Sequence, residues 1–235
     1  MQTSIVNICK KIKQLIGSHW HTPCLLCKSP SLRLVCDDCV HFLPQFTPGC
    51  QRCGFPVLHA FSHYCEACFK HPPHFDQVHA LFHYLWPVHH WIQLLKFQRK
   101  LPIAHYFGQL MAERFKWVIQ PDLILPIPLH PDRQRFRGFN QSIELAKPIA
   151  KALKLPLSVQ VAKRIKATMP QSTAPGRARE LNVEDAFEVE ANVQGASILI
   201  IDDVMTTGAT VNALSLVLKR AGAAFVQVGC VCRSC

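Results

Sequence analysis

From about residue 78 onward the apolar positions fall into two alternating patterns. VHALFHYL, DLILPIPL, SILIIDD and AFVQVGCVC are short apolar runs of strand length. VHHWIQLLKFQ, IAHYFGQLMAERFKWV and FNQSIELAKPIAKAL carry apolar residues three and four apart, the spacing of amphipathic helices, and Pro148 predicts a kink in the last. ATVNALSLVLKRAG, after Gly208, reads as a further helix, and prolines end DLILPIPL. Strands alternating with helices predict an α/β fold with a mostly parallel sheet covered on both faces. Ligands of such sheets collect at the carboxyl ends of the strands. In the last strand Cys230 and Cys232 alternate with Val226 and Val228, which predicts one buried face. At the other end of the chain Ile5, Ile8, Ile12 and Leu15 recur at helical spacing and predict a short docking helix.

Between these regions the pattern is set by cysteine. Four CxxC pairs follow one another: Cys24 and Cys27, Cys36 and Cys39, Cys50 and Cys53, Cys65 and Cys68. The chain has 235 residues, 49% of them hydrophobic and 17% charged, the profile of a compact protein with a real core. It has no apolar run of membrane-spanning length, and its first residues lack the apolar stretch and cleavage site of a signal peptide. A cytoplasmic, reducing location is therefore expected. In that setting the eight cysteines read as metal ligands rather than disulfides. Two CxxC turns supply four thiolates to one tetrahedral zinc, so two structural zinc ions are expected, with redox dithiols or plain buried cysteines as the alternatives. Sequential pairing is favoured because Gly54, after Cys53, suits a tight knuckle; an interleaved arrangement stays open. His41, His59, His63, His71 and His74 lie nearby as substitute ligands. Such a module serves to fold its own segment, or to grip a nucleic acid or protein partner.

The formal net charge is +11, and it is concentrated. Residues 86 to 179 hold sixteen Lys and Arg against four acids, while the rest of the chain is nearly neutral. A polyanionic ligand or nucleic acid would account for this, as would a solvated basic surface. Trp86, Trp91 and Phe97 stand near Lys96, Arg99 and Lys100, the mixture of stacking rings and cations that binds single strands without sequence preference.

The most specific stretch is ILIIDDVMTTGAT, residues 198 to 210. An apolar strand runs into Asp202 and Asp203, and then into a turn of small hydroxyl residues before a helix. Backbone N–H groups in such a turn converge on an anion, and the helix dipole adds positive charge there. Two carboxylates beside a bound phosphate would repel it, so they are placed to hold hydroxyl donors or to lie near a divalent cation. Phosphate, hydroxyls and a cation describe a phosphorylated sugar.

These residues resemble the 5-phosphoribosyl-1-pyrophosphate (PRPP) motif of type I phosphoribosyltransferases. The resemblance implies that Asp202 and Asp203 bind the ribose 2′ and 3′ hydroxyls and carry the chemistry, with Mg²⁺ accompanying PRPP. It also implies that Thr206, Thr207, Gly208, Ala209 and Thr210 receive the 5′-phosphate. PIPLHPDRQRFRGFNQS and PQSTAPGRARELNVEDAF, together with the double CxxC module, make nearly the whole chain similar to the ComF/ComFC/GntX family of competence-associated proteins. On that likeness Ile127, Pro128 and His130 lie in the pyrophosphate loop, with Arg133, Arg135 and Arg137 neutralising charge. A mobile loop over 166–182 would bring Arg177 and Arg179 to the same group.

The expected organisation is an extension over 1–22, a double zinc ribbon over 23–75 and a type I phosphoribosyltransferase-like domain over 76–235. The family resemblance implies a role in DNA uptake during natural transformation, with single-stranded DNA and proteins of the uptake machinery as partners. Lys96, Arg99 and Lys100 are the candidate nucleic-acid contacts. The alternative is a phosphoribosyltransferase acting on a small acceptor without touching DNA; no acceptor pocket or glutaminase segment is legible. A zinc-ribbon interaction module on a degenerate sugar-phosphate fold is a third reading, which leaves the intact phosphate loop unexplained.

Overall fold

The computed structural model describes residues 22–47, 49–57, 63–166 and 185–234. The helix expected over Ile5–Leu15, and His59, Arg177, Arg179 and Cys235, lie outside the described residues. The chain divides into two compact units between Leu43 and Pro44, not after the last CxxC pair. The second pair of CxxC turns is therefore part of the unit that contains the sheet.

The first unit is small. Strands β1 (Thr22–Pro23) and β2 (Pro30–Ser31) pair antiparallel, and helix α1 (Asp37–His41) follows. Its described buried apolar residues beside the cysteines are Val35, Val40 and Leu43.

The second unit opens with α2 (Glu66–Lys70) and β3 (Gln77–His83), then α3 (Val88–Gln98) and α4 (Leu101–Arg114). Strand β4 (Leu123–Pro126) leads through the short α5 (Pro131–Arg137) to α6 (Gln141–Leu153). An antiparallel pair, β5 (Ala162–Arg164) and β6 (Phe187–Val189), precedes β7 (Ser197–Met205), α7 (Ala209–Arg220) and β8 (Phe225–Arg233). The main sheet has the order β3-β8-β7-β4, every neighbour parallel.

Because helices join the strands, both faces of this sheet are covered. That corrects the one-faced reading of the last strand: Val226 through Arg233 are all buried, since β8 lies between β3 and β7. Trp91 is likewise core rather than surface, 4% exposed and 6.3 Å from the ring of Phe107. Helix α6 runs through Pro148, which is buried, and packs along α4. Three elements carry no clear sequence signal. Helix α5 buries none of its residues, so it has no apolar stripe to read, and β5 and β6 are three residues each. No helix among the described residues is long and apolar enough to cross a membrane.

Candidate functional site

Strand β7 is longer on one side than on the other. Its ladder with β4 ends at Ile201, where Ile127 donates its amide to Ile201 O at 2.9 Å. Its ladder with β8 continues to Met205. Asp202 and Asp203 occupy the interval where one neighbour has left and the other still pairs, the position at which a parallel sheet opens a crevice.

The pair is well enclosed and unequal. Asp203 is 3% exposed, and its Oδ2 stands 2.6 Å from Nζ of Lys96, which α3 delivers near its end. Burial alone would lower the Lys96 ammonium, but the charge of Asp203 and their hydrogen bond outweigh it and raise its pKa. Asp202 Oδ1 accepts from the amide of Asp203 at 2.8 Å and from Ser142 Oγ at 3.4 Å. Burial first, and the charge of Asp203 second, push its carboxyl up to about 7. One acid is thus matched by a cation and the other retains its proton near neutrality.

Past Met205 the chain turns. Gly208 takes the left-handed conformation, φ 83°, and a Cβ there would stand 2.6 Å from Met205 Cε. Gly208 has no side chain with which to cap α7, so the amides of the first helical turn face the loop of Thr206, Thr207, Gly208, Ala209 and Thr210. Thr207 Oγ1 accepts from the amide of Ala209 at 3.3 Å, which shapes the turn.

The segment after β4 borders the acids. Asn140 caps α6 through the amide of Ser142 at 2.9 Å and donates Nδ2 to Ile127 O at 2.9 Å, tying the loop's start to its end. Within that loop Ile127 is buried, Pro128 and His130 are half-buried, and His130 caps α5 by accepting from Asp132 N at 3.3 Å. Of the three arginines of α5, Arg137 and Arg133 are half-buried and Arg135 is exposed. Arg135 pairs with Asp132 at 3.1 Å. Arg137 donates to Gln141 Oε1 at 2.6 Å; burial lowers its pKa, opposed by Asp203 and assisted by Arg133.

Beside them opens a groove of about 420 Å³ lined by Lys96, Phe97, Arg99, Arg135, Phe136, Arg137 and Gly138. Phe97 and Phe136 are 70% and 89% exposed, and the guanidinium of Arg137 lies 5.9 Å over the Phe97 ring. Of the three candidate nucleic-acid contacts, Lys96 and Arg99 line this groove and Lys100 is exposed, but the Lys96 ammonium is held by Asp203.

Two residues near the acids were not legible in advance. Ser142 is wholly buried against Asp202, its place marked only by the N-cap signal of Asn140 two residues earlier. Arg164 on β5 is 7% exposed, with its guanidinium 5.4 Å over the ring of Phe187. Burial, then the charge of Arg133, lower it to about 10, while Asp202 acts in the opposite sense.

The cysteines gather in sequence order. The sulfurs of Cys24, Cys27, Cys36 and Cys39 lie within 4.8 Å of one another, as do those of Cys50, Cys53, Cys65 and Cys68. Cys27 and Cys36 are 3.8 Å apart and Cys53 and Cys65 are 3.6 Å apart. A tetrahedron with zinc–sulfur bonds of about 2.3 Å has edges of about 3.8 Å, so each set fits a closed zinc site. Each cluster could hold one structural zinc ion.

A four-stranded parallel sheet with an acid pair and a glycine turn at the end of an inner strand defines this unit as a type I phosphoribosyltransferase fold; of the two four-cysteine clusters of double-zinc-ribbon kind, the first precedes the unit and the second belongs to it. Residues 140–234 match the family model described as phosphoribosyl transferase domain. The DNA utilization protein YhgH of Salmonella typhimurium is 37% identical over 221 residues, 90% of this chain and 96% of that protein. Competence protein F of Haemophilus influenzae is 30% identical over 203 residues, 83% of this chain and 88% of that protein. Among solved structures, adenine phosphoribosyltransferase from Leishmania donovani is 13% identical, with 58% of this chain and 55% of that one covered at a TM-score of 0.37. The chain belongs to the ComF family.

Proposed function

We propose that this protein binds PRPP with Mg²⁺ at the end of β7 and handles single-stranded DNA during DNA uptake. The observation that carries the reading is the sequence of groups around one crevice: a half-buried and a buried acid, then a glycine turn opening a helix, with arginines of α5 alongside. Asp202 and Asp203 hold the ribose hydroxyls, Thr206 to Thr210 receive the 5′-phosphate, and the loop from Ile127 to Arg137 receives the pyrophosphate. Mg²⁺ would neutralise the pyrophosphate charge. Arg177 and Arg179 belong to this proposal as closing contacts. Relatives named for DNA utilization and for competence support the DNA role. So does the groove, where two exposed phenyl rings stand among guanidinium groups. Its stacking rings are Phe97 and Phe136, since Trp91 is buried.

The test is calorimetry of PRPP with Mg²⁺ on the zinc-replete chain and on Asp202→Asn/Asp203→Asn. A charge-assisted hydrogen bond from Asp203 contributes roughly 1.5–3 kcal/mol and a neutral one from Asp202 roughly 0.5–1.5 kcal/mol, so losing both weakens binding by about 30-fold or more. A folded wild type that takes up no PRPP ends this reading. Anisotropy of a labelled oligonucleotide across a salt series tests the groove. Arg99→Ala with Arg135→Ala lowers the slope of log affinity on log salt by about 0.7 for each phosphate that the protein no longer neutralises. An unchanged slope moves the reading to a small acceptor without DNA.

A further inference from the structure

We infer that Arg233 is the positioning residue through which the second four-cysteine cluster sets the phosphate loop. Arg233 ends β8 and is 4% exposed, a cation enclosed within the sheet unit. Its Nε donates to Cys53 O at 3.1 Å. One of its terminal nitrogens, Nη1, shares its two N–H groups among Met205 O at 3.2 Å, Thr206 O and Ser234 O. One planar guanidinium therefore joins the knuckle of Cys50–Cys53 to the last residue of β7 and the first of the loop after it. Its rigid fork suits this, because it meets several carbonyls in fixed directions.

The consequence for the loop follows from peptide planarity. A carbonyl and the next N–H point in opposite directions across a trans peptide. Turning the carbonyls of Met205 and Thr206 toward Arg233 directs the amides of Thr206 and Thr207 away from it. Those are the amides that a phosphate in this turn would meet, so the inference rests on the proposed 5′-phosphate site. The enclosed charge adds positive potential on the other side of the same peptides.

Independent contacts run along the same path. Ser234 N donates to Met205 O at 2.9 Å, and His74 N, six residues after Cys68, donates to Asn212 Oδ1 of α7 at 2.7 Å. Cys50, Cys53 and Cys68 share one apolar cluster with Phe75, Met205 and Val211. The cluster, the loop and the start of α7 are built as one block, and holding Cys53 in its knuckle holds the carbonyl that orients Arg233.

The test is hydrogen exchange of the peptides covering 205–212 in the full, zinc-replete chain, with PRPP calorimetry alongside. Arg233→Gln raises exchange there by about tenfold or more and weakens PRPP by a similar factor, while two zinc ions remain bound and 123–126 stay protected. Arg233→Lys, which keeps the charge without the fork, recovers only part of both. Chelator titration of Cys27→Ser, where only the second cluster retains four thiols, raises exchange at 205–212 in step with zinc release. A folded Arg233→Gln with wild-type exchange in the loop overturns the inference, as does zinc release that leaves the loop unchanged. If Arg233→Gln does not fold, the chelator titration decides alone. A wild type that binds no PRPP removes the phosphate reading, and the exchange measurements still decide the coupling.

Discussion

Two segments of this chain follow the same local course in different surroundings. In the first, Cys24 N donates to Ser29 O at 2.8 Å and Lys28 N to Cys24 O at 3.0 Å. In the second, Cys50 N donates to Phe55 O at 2.8 Å and Gly54 N to Cys50 O at 2.9 Å. Lys28 and Gly54 are both left-handed, with φ of 67° and 73°. Cys36 and Cys65 each stand at the N-cap of a five-residue helix with acid in its first turn. The surroundings then diverge. The first cluster lies in a unit with few described buried apolar residues besides its cysteines, and Cys27 is exposed. The second places three of its cysteines in the continuous core that reaches Val228 and Leu214. CxxC spacing specifies a knuckle and a metal; what the knuckle supports is set by the chain packed against it.

The largest effect that would break this comparison is loss of one ligand from each cluster. Structural zinc binding carries on the order of 10 kcal/mol of folding free energy. Cys68→Ser is therefore expected to lower the melting temperature of the sheet unit by more than about 10 °C. Cys27→Ser, in the other unit, leaves that transition within about 2 °C. Calorimetric scans with zinc content measured in parallel would show it. Equal shifts from the two variants would mean that the clusters play the same part.

A smaller effect sharpens the contrast through pH. Asp202 keeps its proton to about 7 in the folded chain, against an ordinary value of 3.8, because burial and Asp203 oppose its charge. The folded state thus binds more protons than the unfolded state between those values. Its contribution to stability is fully present below the lower value and is lost as pH rises through about 7. The slope is at most about 1.4 kcal/mol per pH unit. Urea unfolding of the sheet unit between about pH 5 and 8, a window chosen so that the cysteines keep their zinc, should show this decline and Asp202→Asn should flatten it. The same slope in both proteins would count against a protonated Asp202.

How much of this the sequence carries differs between the same two regions. The main strands and helices are legible because each is an uninterrupted apolar period, and the cysteine clusters because thiol spacing encodes a turn. The acid pair and its loop are legible as an ordered motif. What is not legible depends on long-range packing. Lys96 reads as a surface cation beside aromatics, yet it is fixed by Asp203, 107 positions further on. Arg233 reads as the end of an apolar strand, and nothing local shows that it reaches back to Cys53. The division between Leu43 and Pro44 is hidden for the same reason, since four similar CxxC pairs give no sign of which two join the sheet.

The knuckle glycine offers a still smaller test. A Cβ on Gly54 would lie 2.8 Å from Cζ of Phe46 and would have to be carried at φ 73°. Left-handed strain of roughly 1–2 kcal/mol and displacement of the ring together give about 2 kcal/mol for Gly54→Ala. Chemical unfolding of the sheet unit measures it. A cost below about 0.5 kcal/mol would show that the ring moves freely and that this knuckle is no more constrained than the first.

The smallest effect belongs to the first knuckle, where the same conformation is held by a lysine. Lys28→Gly removes the left-handed strain but also the bond from Nζ to Leu25 O at 3.2 Å. That bond is exposed and contributes little, so the exchange is expected to stabilise the first cluster by about 0.5 kcal/mol. The readout is zinc retention by residues 24–39 against a competing chelator, roughly twofold slower in the variant. The sheet unit should be indifferent. If Lys28→Gly also shifted the sheet unit's unfolding, the two clusters would be energetically coupled, and their difference would no longer be one between an independent knuckle and one built into a core.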